Sequence, residues 1–136
     1  EEEKVQKTYQ RFGEDFGTSF QIIDDLLDLI GEKEKTGKEL GNDLQEGKIT
    51  LPLIYALASS EDGTRDKILK LFEEGYSPEH FTEIRAFVEK EGGVEYSRRK
   101  ASDFSRSALE VISGLKASEH TKSLTQLVDF ILIREK

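Results

Sequence analysis

Three aspartates set inside an apolar run, Phe20-Gln21-Ile22-Ile23-Asp24-Asp25-Leu26-Leu27-Asp28, limit what this chain can fold into. A carboxylate taken out of water is costly unless it is paired, hydrogen-bonded or bound to a metal. At about 100° of rotation per residue, Asp24, Asp28, Gln21 and Asp25 share one helical arc of roughly 100°. Phe20, Ile22, Ile23, Leu26, Leu27, Leu29 and Ile30 occupy the rest of the circumference. A surface helix has a narrow apolar stripe and a wide polar face. This stretch has the reverse, and so predicts a helix buried nearly all round with an acidic stripe facing an internal cavity.

The remaining apolar residues also recur at helical spacing, and strand-like alternation is absent. The expected class is all-α, with about six helices. The first covers about residues 3–30, with Gly31 as a left-handed stop. Others cover about 51–60, 64–74, 78–91 and 94–115, and the last begins at Ser118. Its inner face is expected to be Leu124, Leu127, Val128, Ile131 and Leu132. Pro52 and Pro78 fall near helix starts, where a missing N–H does little harm. Gly13 and Gly17 lie on the face of the acidic stripe. They predict either close packing against a neighbouring helix or an open cavity above the aspartates. Between the first two helices runs a polar connection of about 16 residues, Glu32 to Gly47. Long connections of this kind tend to carry function.

A net charge of −8 argues against sequence-independent nucleic-acid binding, which needs a basic face. An anionic small substrate stays possible, because divalent cations bridge carboxylates to phosphates. With no cysteine there is neither a disulfide framework nor a thiolate metal site, which fits a reducing, cytoplasmic setting. No apolar run is long enough to span a membrane and no signal-peptide pattern heads the chain. The absence of methionine, and a helical pattern beginning at Glu1, predict a piece of a longer protein.

Hard oxygen ligands without sulfur or paired histidines indicate Mg²⁺, or Mn²⁺, rather than zinc. The spacing fails for an EF-hand loop, and Gly47-Lys48-Ile49-Thr50 fails for a nucleotide P-loop. Octahedral Mg²⁺ takes one or two carboxylates plus substrate phosphates and water, which suits an aspartate stripe facing a cavity. Lys38 and Lys48, each following a glycine, are candidate phosphate partners; a lysine in a polar loop is more often solvated surface. His80 and His120 lie far from the motif.

Three segments together resemble one family. They are Phe20–Asp28, then Gly37-Lys38 with Gly41-Asn42-Asp43-Leu44, then Glu46-Gly47-Lys48-Ile49-Thr50-Leu51-Pro52. In order and spacing they are similar to the second aspartate-rich region of the trans-isoprenyl (polyprenyl) diphosphate synthases. Gly92-Gly93-Val94-Glu95-Tyr96-Ser97 and the closing Leu127-Val128-Asp129-Phe130 are compatible with it. The resemblance makes residues 1–136 the C-terminal part of one isoprenoid synthase helical domain. It implies a cavity lined by two aspartate-rich helices, with magnesium ions holding an allylic diphosphate between them. Carried over, Asp24 and Asp25 form the metal-facing pair, with Asp24 as direct ligand. Asp28 completes the metal site through water or contacts behind the first ligands. Lys38 and Lys48 contact the diphosphate, Gln21 lines the cavity and Asp43 orders metal-bound water.

The implied reaction joins an allylic diphosphate to isopentenyl diphosphate, in a protein that is a homodimer when complete. The family's first aspartate-rich motif is not found in these 136 residues, so the chain alone is expected to be inactive. Two other readings differ in outcome: a non-catalytic partner subunit of a heteromeric prenyl synthase, and a terpene cyclase of the same fold. Terpene cyclases usually carry an Asn/Ser/Glu metal motif where this chain has Asp-Asp-x-x-Asp. The intact aspartates and lysines speak against a degenerate subunit.

Overall fold

The computed structural model describes residues 2–31 and 40–134. Among the described residues there is no strand, and seven helices follow one another. They are α1 (Glu2–Ile30), α2 (Asn42–Gln45), α3 (Leu51–Ser59), α4 (Asp62–Glu73), α5 (Pro78–Lys90), α6 (Gly93–Ser113) and α7 (Glu119–Arg134). The all-α expectation and the six longer helices hold. The single turn α2, inside the expected loop, is additional.

Local chemistry explains several boundaries. Ser77 accepts a hydrogen bond from the His80 amide at 3.0 Å, with Pro78 in the first turn of α5. Ser118 and Thr121 cap α7 reciprocally: the Thr121 amide donates to Ser118 Oγ at 3.2 Å, and the Ser118 amide donates to Thr121 Oγ1 at 2.9 Å. Helix α1 stops at Ile30 as expected. Arg85 Nη2 donates to the Ile30 carbonyl at 3.3 Å, satisfying one of the helix-end acceptors.

The chain divides into two compact units, cut within α1 after Ile23 and within α6 after Ser97. In the first unit, Phe12, Ala108, Ile112 and Val128 form the buried core, joined by Phe16, Leu109 and Leu124. The Phe12 and Phe16 rings stack at 5.7 Å. A polar pair crosses this interior: Ser19 Oγ lies 2.8 Å from the Ala101 carbonyl and 2.6 Å from Ser105 Oγ. Three expectations are corrected here. Leu127 is 48 % exposed: it lies about 100° from Val128 and about 40° from Ile131, which puts it at the outer edge of the buried stripe and not within it. Gly13 and Gly17 are not close-packed; an added Cβ at either would meet nothing within 4 Å. Nor is the apolar part of α1 buried throughout, since Phe20 keeps 42 % of its surface.

The second unit, Asp24–Ser97, is built on Leu26, Leu53, Ala56, Ile68, Ile84, Phe87, Val88 and Val94. The start of α6 approaches the first turn of α3 so closely that a Cβ on Gly93 would sit 2.3 Å from the Pro52 carbonyl oxygen. Beside it, Tyr55 and Tyr96 stack at 4.1 Å. Arg65 closes the end of α3, with Nε on the Leu57 carbonyl and Nη2 on that of Ser60, both at 2.8 Å.

Candidate functional site

The acidic helix end and the connection that follows it come together through Asp28. This residue is buried, with 6 % of its surface exposed, and it accepts three hydrogen bonds from three successive backbone amides. Its carbonyl accepts from Gly41 at 2.9 Å, Oδ1 from Asn42 at 3.1 Å and Oδ2 from Asp43 at 3.0 Å. A carboxylate bonded to backbone N–H groups is a strong anchor, because one partner is charged. Here it nucleates α2, which would otherwise be too short to persist. Gly41 makes the return possible. Its φ of 81° is left-handed, and a Cβ there would lie 3.0 Å from the Phe81 ring. The signal for α2 is visible in sequence as Gly41-Asn42-Asp43, but its partner is 14 residues earlier and was missed.

The anchored segment then delivers Lys48. Its amide donates to the Asp43 carbonyl at 2.8 Å, and its Nζ lies 3.8 Å from Asp25 Oδ1 and 3.8 Å from Asp43 Oδ1. Such half-exposed ion pairs are worth under about 1 kcal/mol each, while full burial of a side chain like Ile84 is worth about 1.5–3 kcal/mol. The core therefore holds the unit together, and the ion pairs chiefly set local charge.

A small pocket of about 30 Å³ opens at this point, with room for a cation or a water. Its charged lining is Asp25, Asp28, Asp43 and Lys48; Gly41 and Thr50 add polar backbone and a hydroxyl, and Leu29, Leu53, Phe72, Phe81 and Ile84 form the apolar wall. Three carboxylates thus face one ammonium. The imbalance is felt at Asp43, whose carboxyl is raised above its ordinary value first by burial, then by the charges of Asp28 and Asp25. Lys48 partly offsets this, and Glu46 adds to it. Excess negative charge on hard oxygens is the donor chemistry of Mg²⁺ or Mn²⁺. Among the described residues no three such side chains close round one point to cage an ion by themselves. A cation held here would draw further ligands from water or from a bound anion.

Of the residues singled out from sequence, Asp25, Asp28, Asp43 and Lys48 are therefore neighbours. Asp24 precedes them on α1 and is partly buried. Gln21 belongs to the first unit and is exposed. Lys38 lies outside the described residues. Thr50, at the start of α3, was not singled out and lines the pocket.

The family model described as polyprenyl synthetase matches residues 1–89. The all-trans-nonaprenyl-diphosphate synthase (geranyl-diphosphate specific) of Rhodobacter capsulatus is 34% identical over 125 residues, which is 92% of this chain and 38% of that protein. A decaprenyl diphosphate synthase structure from Rhodobacter capsulatus superposes with a TM-score of 0.87 at 29% identity, over 100% of this chain and 42% of the other. Geranylgeranyl pyrophosphate synthase from Corynebacterium glutamicum, whose structure is a complex with isoprenyl diphosphate and magnesium, gives 0.82 at 26% identity, over 96% of this chain and 38% of that one. The chain spans roughly two fifths of the length of these relatives.

Proposed function

The chain belongs to the polyprenyl synthetase family and has its isoprenoid synthase helical fold, and from that premise we propose that it supplies one metal- and diphosphate-binding wall of a trans-prenyltransferase. The reaction is head-to-tail condensation of an allylic diphosphate with isopentenyl diphosphate. The observation carrying this reading is the cluster in which Lys48 stands 3.8 Å from both Asp25 and Asp43, beside a pocket with a surplus of carboxylate.

Asp24 and Asp25 would hold Mg²⁺, with Asp28 and Asp43 behind them. When bound, the metal supplies the positive charge that lets carboxylates and a diphosphate share one site. The chain's own residues do the rest. The Lys48 ammonium is half exposed and can swing from its two carboxylates to a diphosphate oxygen, neutralising charge as the leaving group departs. Lys38, which lies outside the described residues, is assigned the same role from its place in the sequence motif. Asp43, held by its own backbone to Asp28, keeps a carboxylate beside the ammonium and orients water. The apolar wall of Leu29, Phe72, Phe81 and Ile84 limits water near the reacting carbon. The double bond of isopentenyl diphosphate attacks the allylic carbon, pyrophosphate leaves, and a proton is lost from the new chain.

Only one Asp-Asp-x-x-Asp occurs in the 136 residues, so these residues by themselves form one wall and do not turn over. A complete protein pairs this wall with a second aspartate-rich helix and assembles as a homodimer. The test is thermal stability. Mg²⁺ with inorganic pyrophosphate should raise the melting temperature through preferential binding to the folded state. Asp24→Ala should remove most of that gain. An equal shift in the mutant would remove Asp24 from the metal site.

A further inference from the structure

We infer that Asp28 is a positioning residue and not a metal ligand: its buried carboxylate fastens residues 41–43 to α1 and so sets Asp43 and Lys48 against Asp25. The fastening is read directly from the geometry; its consequence for diphosphate rests on the function proposed above.

Three observations carry it. Both carboxylate oxygens of Asp28 already have a backbone donor, Asn42 at 3.1 Å and Asp43 at 3.0 Å, and its carbonyl holds Gly41 at 2.9 Å. Binding an ion directly would compete with charge-assisted bonds that order the segment. Exposure points the same way. Asp28 reaches the pocket wall but is buried, whereas Asp25 and Asp43 are only partly buried. Mg²⁺ loses its water reluctantly and keeps several molecules when bound, so it needs an approach that Asp28 does not offer. The third observation is Gly41, whose left-handed backbone packs tightly against Phe81, so that a Cβ there would be strained and would lie 3.0 Å from the ring. The segment is thus clamped from both sides, by Asp28 beneath and Phe81 beside it. From Asp43 the chain runs through α2 to Lys48, whose amide returns to the Asp43 carbonyl. Displacing residues 41–43 therefore displaces the ammonium too.

The experiment uses this chain with Mn²⁺ and inorganic pyrophosphate as probes. Amide exchange at Asn42 and Asp43 is followed by NMR, and pyrophosphate affinity by calorimetry, in wild type, Asp28→Asn, Gly41→Ala, Lys48→Ala and Asp28→Asn/Lys48→Ala. In Asp28→Asn, exchange at Asn42 and Asp43 should accelerate roughly tenfold or more, while the amides of α3 and α5 keep wild-type rates. Affinity should fall by roughly tenfold and stay low at saturating Mn²⁺. Gly41→Ala should reproduce both effects with Asp28 intact, which covers the case in which Asp28→Asn fails to fold. In the Lys48→Ala background, Asp28→Asn should cost much less than alone, because the two act through one segment. Unchanged exchange at Asn42 and Asp43, affinity restored by excess Mn²⁺, or full additivity with Lys48→Ala would each overturn the inference. If wild type binds no pyrophosphate with Mn²⁺, the proposed function fails, and the exchange rates alone decide whether Asp28 fastens the segment.

Discussion

Gly93→Ala adds one methyl group where the backbones of α6 and α3 approach most closely. The new Cβ would stand 2.3 Å from the Pro52 carbonyl oxygen, 3.1 Å from its carbonyl carbon and 2.8 Å from Val88 Cγ1. Relief requires about 1 Å of movement, since ordinary carbon–oxygen contacts start above roughly 3 Å. Neither neighbour gives way easily: Val88 is fully buried, and the Pro52 carbonyl belongs to the backbone of a helical first turn. Overpacking of this kind costs about 1–3 kcal/mol. Helix propensity works against it by at most about 1 kcal/mol, so the expected net loss is about 2 kcal/mol. Gly63→Ala is the matched control, the same chemical change early in α4, where the new Cβ meets nothing within 4 Å. It should be neutral or stabilising by up to about 1 kcal/mol. Urea denaturation followed by circular dichroism measures both. Equal stabilities for the two variants would refute the close approach, and with it the way α3 is held beside the pocket.

Removing one member of the buried serine pair should cost more than its share. Ser19→Ala leaves Ser105 Oγ and the Ala101 carbonyl without that partner and should destabilise the chain by about 1–2 kcal/mol. The Ser19→Ala/Ser105→Ala double variant should lose less than the sum of the single ones in the same denaturation assay; simple additivity would contradict this. Asp43 gives a pH dependence. Its folded-state pKa is raised, by burial first and then by Asp28 and Asp25, so the folded chain holds this proton more tightly than the unfolded chain does. Stability therefore falls as pH climbs from the ordinary value of 3.8 through the raised one, and a constant penalty remains above that window. In metal-free buffer Asp43→Asn should be more stable than wild type at neutral pH, with the difference growing only across that window. A difference of the same size at pH 3 and pH 7 would contradict the assignment.

Much of the fold was legible because it depends on local pattern. Phe81, Ile84, Phe87 and Val88 repeat at helical spacing and are all buried in the second unit. Ser77 and Ser118 marked helix starts that the structure caps through those very hydroxyls. What failed depends on partners distant in sequence. Periodicity places Leu127 beside Val128 on α7 but cannot say which way the stripe is rotated against Phe12 and Ala108. The apolar belt of Phe20 to Ile30 predicts burial on that side, yet Phe20 stays exposed in the described chain. At the site, the carboxylate stripe and Lys48 were legible as chemistry. The use of Asp28 was not, because its donors are backbone amides of residues 42 and 43, which any residue type other than proline supplies. Helix α2 was missed for the same reason.

The central claim is that a cation joins these carboxylates to a diphosphate. Calorimetric titration of inorganic pyrophosphate into the chain, once with Mg²⁺ and once with EDTA, tests it most directly. With three carboxylates around one ammonium, pyrophosphate alone is repelled, so binding should be measurable with Mg²⁺ and vanish in EDTA. Equal binding in both buffers would mean that the lysines suffice and the aspartates do not bind metal; no binding in either would contradict the account.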